Sequence, residues 1–192
     1  MDTIRSDRTR ARWTYSEFAR LPDDDGKRRE IIADELVVTP SPRRGHQRVV
    51  MDLGTVLNAF VRAHDLGELY PAPIDVLFAE GDYVQPDLVF VLGGREEVLT
   101  DRGVEGPPDL VIEVTSPSTE ERDRGLKLDR YRHYGVPEYW VVDPDERTVE
   151  VWRFAEDTRE PVTHRSGDLL RWTPVEGGPT LDVSVAEVLR TD

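Results

Sequence analysis

The sequence predicts an α/β (α+β) domain, with a mixed central sheet flanked by helices and an N-terminal β-hairpin in front of it. Three observations carry this expectation. Short apolar runs rich in Val, Ile and Leu recur between turn residues, at 36–38, 74–78, 88–91, 110–114 and 139–142. One long stretch, 45–63, places its apolar residues at helical spacing. From 107 to 143 an apolar strand, a capped helix and a second apolar strand follow one another, the order of a strand–helix–strand unit.

The elements follow in chain order. Residues 1–12 are rich in Arg, Asp, Ser and Thr and too poor in apolar groups to pack, so a mobile arm is expected there, with one domain over 13–192. A short helix over 14–21, capped by Thr14 or Ser16, turns Tyr15, Phe18 and Leu21 to one side. Asp23, Asp24 and Asp25 lack the alternation and distal Glu of a calcium loop and read as a solvated turn. Glu30-Ile31-Ile32, the turn Ala33-Asp34 and Leu36-Val37-Val38 form a hairpin, which Pro40 and Pro42 end. The long helix presents Val49, Val50, Leu53, Val56, Leu57, Phe60 and Val61 to the sheet. Strands follow at 68–70, 74–78 and 88–91, and the polar segment 93–108 reads as a loop able to rim an active site. A helix over 119–134, stopped by Gly135 and Pro137, joins the strand at 110–114 to that at 139–142. Beyond Pro144, residues 149–154 alternate like an outer strand with one wet face. Short strands near Leu169 and Leu181 and a turn of helix at 185–189 close the chain.

Composition narrows the function. No apolar run reaches the roughly 20 residues of a membrane helix and the N-terminus lacks a signal-peptide core, so no membrane association and a cytoplasmic location are expected. With 0 Cys there are no disulfides, thiolate metal sites or cysteine nucleophiles, which leaves oxygen and imidazole ligands. The formal net charge of −14 repels polyanions on average. A local basic cluster, at 5–12 or at Arg43, Arg44 and Arg48, would have to prevail at short range.

The chemistry concentrates in two acidic strands. Gln85-Pro86-Asp87 precedes one apolar run, and Glu113 interrupts the run Leu110-Val111-Ile112-Val114. A carboxylate inside a buried strand calls for a cation, a metal or a proton. On the helix that follows, Asp123, Lys127 and Tyr131 are spaced four apart and share a face, which aims Lys127 back over the Glu113 strand. Two acids on neighbouring strands with a lysine beside them suit a hard dication, Mg2+ or Mn2+, and phosphodiester hydrolysis. Asp87, Glu113 and Lys127 are the candidate catalytic residues, with Asp87 and Glu113 the candidate metal ligands. Glu30, His46, Gln85 and Tyr131 are possible additions. Glu30 is either a third carboxylate of the site or a surface strand residue. His46 is a ligand, a proton carrier or a solvent-facing helix-start residue. Tyr131 and Trp140 read as core aromatics, and Asp123 as a solvated residue of the first helical turn.

The string Pro86-Asp87, then Glu113 and Val114, Ser116-Pro117-Ser118-Thr119, Asp123, Lys127, Tyr131 and Gly135-Val136-Pro137-Glu138-Tyr139-Trp140, resembles the Uma family of restriction-endonuclease-like proteins within the PD-(D/E)XK nuclease superfamily. Upstream the match runs through Glu30, Pro40-Ser41-Pro42 and His46. The resemblance implies a metal-dependent endonuclease acting on DNA, with a homodimer expected by analogy. It departs from the superfamily at Thr115, where the strand lysine normally stands, and implies that Lys127 has taken over that role from the helix. The alternatives are a catalytically silent module serving binding or assembly, and hydrolysis of a small phosphorylated molecule.

Overall fold

The computed structural model describes residues 12–21, 27–156 and 158–190. The expected arm over 1–12, apart from Arg12, and the turn at Asp23-Asp24-Asp25 lie outside the described residues. The described residues form two six-stranded sheets and one two-stranded sheet, so the mixed sheet expected is present with a second beside it.

The chain opens with one helical turn, α1 (Tyr15–Phe18), closed by a capping box between Thr14 and Glu17. It is shorter than expected and buries no residue fully. The Tyr15 and Phe18 rings lean on Tyr83, with centroids at 5.2 and 4.7 Å. β1 (Arg28–Ile32) and β2 (Glu35–Thr39) make the expected hairpin. Ala33 and Asp34 turn it at φ of 52° and 65°, the positive values a two-residue hairpin loop demands. α2 (Arg44–Ala63) is the long helix, and β3 (Gly67–Pro71), β4 (Val76–Ala79), β5 (Asp82–Val84) and β6 (Leu88–Leu92) follow it.

The expected loop at 93–108 is not a rim. It carries two short strands, β7 (Leu99–Thr100) and β8 (Gly103–Glu105), which extend the sheet β2-β1-β5-β4-β8-β7. Backbone pairing with β4 satisfies amides that a free loop would leave to water.

β9 (Leu110–Val114) leads into α3 (Glu120–Arg122), a π-helical turn at Asp123–Lys127, and α4 (Leu128–His133). β10 (Glu138–Asp143), β11 (Thr148–Arg153) and β12 (Val162–Arg165) complete the second sheet, β12-β11-β10-β9-β6-β3. β11 is therefore an interior strand and not the outer one that its alternation suggested. The edge is β12, whose half-exposed Val-Thr-His-Arg gives no strong apolar signal. β13 (Leu169–Trp172), β14 (Leu181–Ser184) and α5 (Val185–Val188) end the fold as expected.

β9 and β10 run parallel and the sheet's remaining pairs are antiparallel, so its two faces can be read from alternation. Leu88, Phe90, Leu110, Ile112, Val114 and Trp140 face α2 in one core. Val89, Val91, Val111, Tyr139 and Val141 face α4 and the other sheet, packing with Leu128, Tyr131 and Ile32. Asp87 and Glu113 share the parity of this second face, which decides where the site forms.

Leu57, at 0% exposure, fills the first core. Leu57→Ala is expected to lower the unfolding free energy by about 3 kcal/mol in urea titrations. A loss under about 1 kcal/mol would mean that α2 does not hold this face. Among the described residues, no helix is long and apolar enough to cross a membrane.

Candidate active site

Antiparallel pairing of Leu88 with Ile112 sets Asp87, one step further out, across from Glu113. The connection is reinforced by the Val114 N–H, which donates to Asp87 Oδ2 at 2.8 Å. Both acids line a cavity of about 660 Å3. Its walls come from the segment joining β2 to α2, including Pro40 and Arg43, from His46 in the first turn of α2, and from the turn Thr115–Thr119. Asp123, Lys127, Arg28 and Arg122 also face it.

Lys127, only 1% exposed, is the hub. Its ammonium lies 2.7 Å from Glu113 Oε1 and 2.7 Å from Glu30 Oε1. Tyr131 donates its hydroxyl to the same Glu113 Oε1 at 2.7 Å. Tyr131 is thus both the core aromatic expected and a partner of Glu113. The π-helical turn aims Lys127 inward, and Asp123 with it.

Asp123 is buried, not solvated as expected. Helical phase places it beside Lys127, whose charge offsets part of the desolvation. Glu30 is likewise fully buried, beside Lys127 and not on the surface. Its Oε1 also accepts the Gln85 backbone N–H at 3.0 Å.

His46 reaches Asp87 Oδ1 at 3.2 Å from the first turn of α2. Gln85 does not join the cavity. Its side-chain amide donates to Asp75 Oδ1 at 2.9 Å and to the Tyr83 hydroxyl at 2.8 Å, in a separate polar cluster. At Thr115 the hydroxyl lies 3.3 Å from that of Thr119, so this strand position braces the turn.

Sequence reasoning missed Arg28 and Arg122. Arg28 donates to Asp87 Oδ1 at 2.9 Å, and Arg122 lies 3.9 Å from Glu30 Oε2 and 4.0 Å from Asp123 Oδ1. Nothing local in the sequence marks them; the need for further cations shows only once the fold buries four acids around a single lysine.

The electrostatics follow from that inventory. Glu30, Asp87, Glu113 and Asp123 face Arg28, Arg122 and Lys127, so the cluster has one acid in excess. Desolvation, with Asp123, Asp87 and Glu30 adding to it against the pull of Lys127, pushes Glu113 up to about 8. Burial and the nearby acid Glu30, opposed by Lys127, also raise Asp123. Burial works against the Lys127 ammonium, but Glu113, Glu30 and Asp123 outweigh it and raise its pKa. Burial likewise opposes the Asp87 carboxylate, yet its hydrogen bond and attraction to His46, together with Arg28 and the Val114 N–H, pull it below the ordinary value. Burial thus favours a proton on Glu113, while the surrounding acids favour the charged form of Lys127.

Because the folded pKa of Glu113 lies above its ordinary 4.5, its stability contribution is complete below that value and is lost as pH rises through about 8. Asp87, with its pKa lowered, behaves oppositely and loses its contribution only in acid, below the Glu113 window. Urea unfolding between pH about 5 and about 9 should therefore show a fall in stability that is flatter in Glu113→Gln. Parallel profiles for the two proteins would contradict the assignment of the proton.

Asp87 and Glu113 are hard oxygen donors on one cavity, and Glu30 Oε2 and Asp123 Oδ1 are buried oxygens without a hydrogen-bond partner. Among the described residues no group of three or more His, Cys, Asp or Glu is placed to hold a metal ion. Two carboxylates with water completing the shell is the arrangement Mg2+ takes in phosphate-handling sites, so the residues fit such an ion.

A mixed sheet backed by a long helix, with a helical crossover between its two parallel strands, is the fold of a restriction-endonuclease-like domain. The chain belongs to the Uma2 family, whose model, described as "Putative restriction endonuclease", matches residues 15–184. The fold is shared with the crystal structure of a protein from Anabaena variabilis ATCC 29413, described as a "putative nuclease belonging to DUF820". That likeness has a TM-score of 0.75 at 20% identity and covers 92% of this chain and 97% of the other. No curated protein matches the chain.

Proposed function

We propose that this protein is a PD-(D/E)XK-type nuclease that hydrolyses DNA phosphodiester bonds with Mg2+ or Mn2+. The observation that carries the reading is the convergence of Asp87, Glu113 and Lys127 on one cavity. Asp87 and Glu113 would hold the ion. Such an ion supplies charge neutralisation at the phosphate and a water of lowered pKa.

The residues of the chain set the rest. Lys127 and Tyr131 fix Glu113 by donating to Oε1, which leaves Oε2 outside that pair of bonds. Held protonated, Lys127 acts through its positive charge near the reacting phosphate and not as the base. In hydrolysis the water oxygen forms a new bond to phosphorus, one ester P–O bond breaks, and the leaving oxygen gains a proton.

Calorimetric titration of Mn2+ into the wild type and Glu113→Ala tests the reading. Binding is expected in the wild type and a loss of at least tenfold in the variant. Equal binding, or none in either, would remove the metal site and the mechanism with it.

A second reading, a catalytically silent module for binding or assembly, is favoured by Thr115 at the usual lysine position and by the net charge of −14. Cleavage of DNA by the wild type that is lost in Lys127→Ala excludes it.

A further inference from the structure

The Asp87 carboxylate already has a cation. Its Oδ2 accepts the Val114 N–H at 2.8 Å, and its Oδ1 takes Arg28 Nη2 at 2.9 Å and His46 Nε2 at 3.2 Å. A carboxylate oxygen offers two lone-pair directions, so Oδ1 has none left while both partners stay. Arg28 stands at the first position of β1, with 19% of its side chain exposed, and lines the cavity. Burial disfavours its charge, but Asp87, Glu113 and Glu30 outweigh that cost and raise its pKa, so it lies within the field of both proposed metal ligands. With both directions on Oδ1 taken, a dication reaches that oxygen only as the guanidinium leaves it.

We propose that Arg28 is the resident counter-cation of this site, neutralising Asp87 until a divalent cation binds and leaving Oδ1 when it does. The inference rests on the metal-dependent reading above and adds to it a residue that sets metal affinity by competition. A purely structural ion pair would behave otherwise. Its removal would loosen Asp87 and weaken binding, whereas removal of a competitor strengthens it.

The test uses Mn2+ and calorimetry on the wild type, Arg28→Met and Arg28→Lys. Arg28→Met is expected to bind Mn2+ about tenfold more tightly than the wild type. Arg28→Lys, which keeps a competing point charge, should bind within about threefold of the wild type. A second measurement needs no folded variant of Asp87's partners. In 15N-arginine-labelled wild type, the Arg28 guanidinium resonance should shift on titration with diamagnetic Mg2+, as its bond to Asp87 breaks. Wild-type binding of Mn2+ with Arg28→Met no tighter, or an Arg28 resonance unmoved at Mg2+ saturation, would overturn the role of Arg28 and leave the nuclease reading standing. Absence of binding in all three proteins would overturn both. Should Arg28→Met fail to fold, the resonance titration decides alone.

Discussion

Lys127→Ala is expected to lower the unfolding free energy by about 3–5 kcal/mol, the largest stability effect of any single substitution at the site. The ammonium touches Glu113 and Glu30 at 2.7 Å and faces Asp123, all three buried. Its removal leaves those carboxylates without their shared counter-charge in a medium that screens poorly. They can respond only by taking up protons, so the loss should be greatest at alkaline pH and shrink on acidification. Urea unfolding over a pH series measures it, and the double variant Glu30→Gln with Lys127→Ala should recover part of the loss. A small, pH-independent change would show that the lysine is not what keeps the acids in place.

Glu113→Gln is expected to separate activity from stability. The amide oxygen can still accept from Lys127 and Tyr131, and it carries no charge to be buried. The variant should thus unfold at the same or a higher urea concentration than the wild type at alkaline pH. Cleavage of a panel of DNA substrates in Mn2+ should fall about a thousandfold, since a neutral ligand neither binds the dication well nor holds it in register. Cleavage that persists would transfer the ligand role to another carboxylate, with Asp123 the first to test.

Much of this arrangement could be read from the residues before any coordinates. The long helix was legible because Val49, Val50, Leu53, Leu57, Phe60 and Val61 repeat at its period, and all six are buried. The hairpin was legible from its two-residue turn. Asp87 and Glu113 stood out because charge at the ends of apolar strands needs a partner.

The misses have physical causes of their own. Strand partners are set by tertiary packing, so two sheets looked like one. β5, β7 and β8 have three residues or fewer, too short for alternation to register. From the sequence Asp123 reads as solvated, because single charges on helices usually are. Its burial depends on Lys127 and Arg122, which no local window reveals. Arg28 begins a strand within a basic run, where nothing nearby marks it as the partner of an acid 59 residues away.

The lysine comes from the crossover between β9 and β10, whereas Glu30 and Glu113 come from strands of two sheets, Asp87 from the residue just before β6, and Asp123 from the crossover itself. While that crossover is undocked, Glu30 and Glu113 have no ammonium and favour hydration over burial. Docking of the helix and dehydration of the acids are therefore one cooperative event, and the inner face of β9 cannot close ahead of it. Amide exchange should accordingly give β9 and α4 the same opening free energy, with unequal values refuting the linkage. The groups proposed for chemistry then double as a latch that joins the two sheets into one unfolding unit.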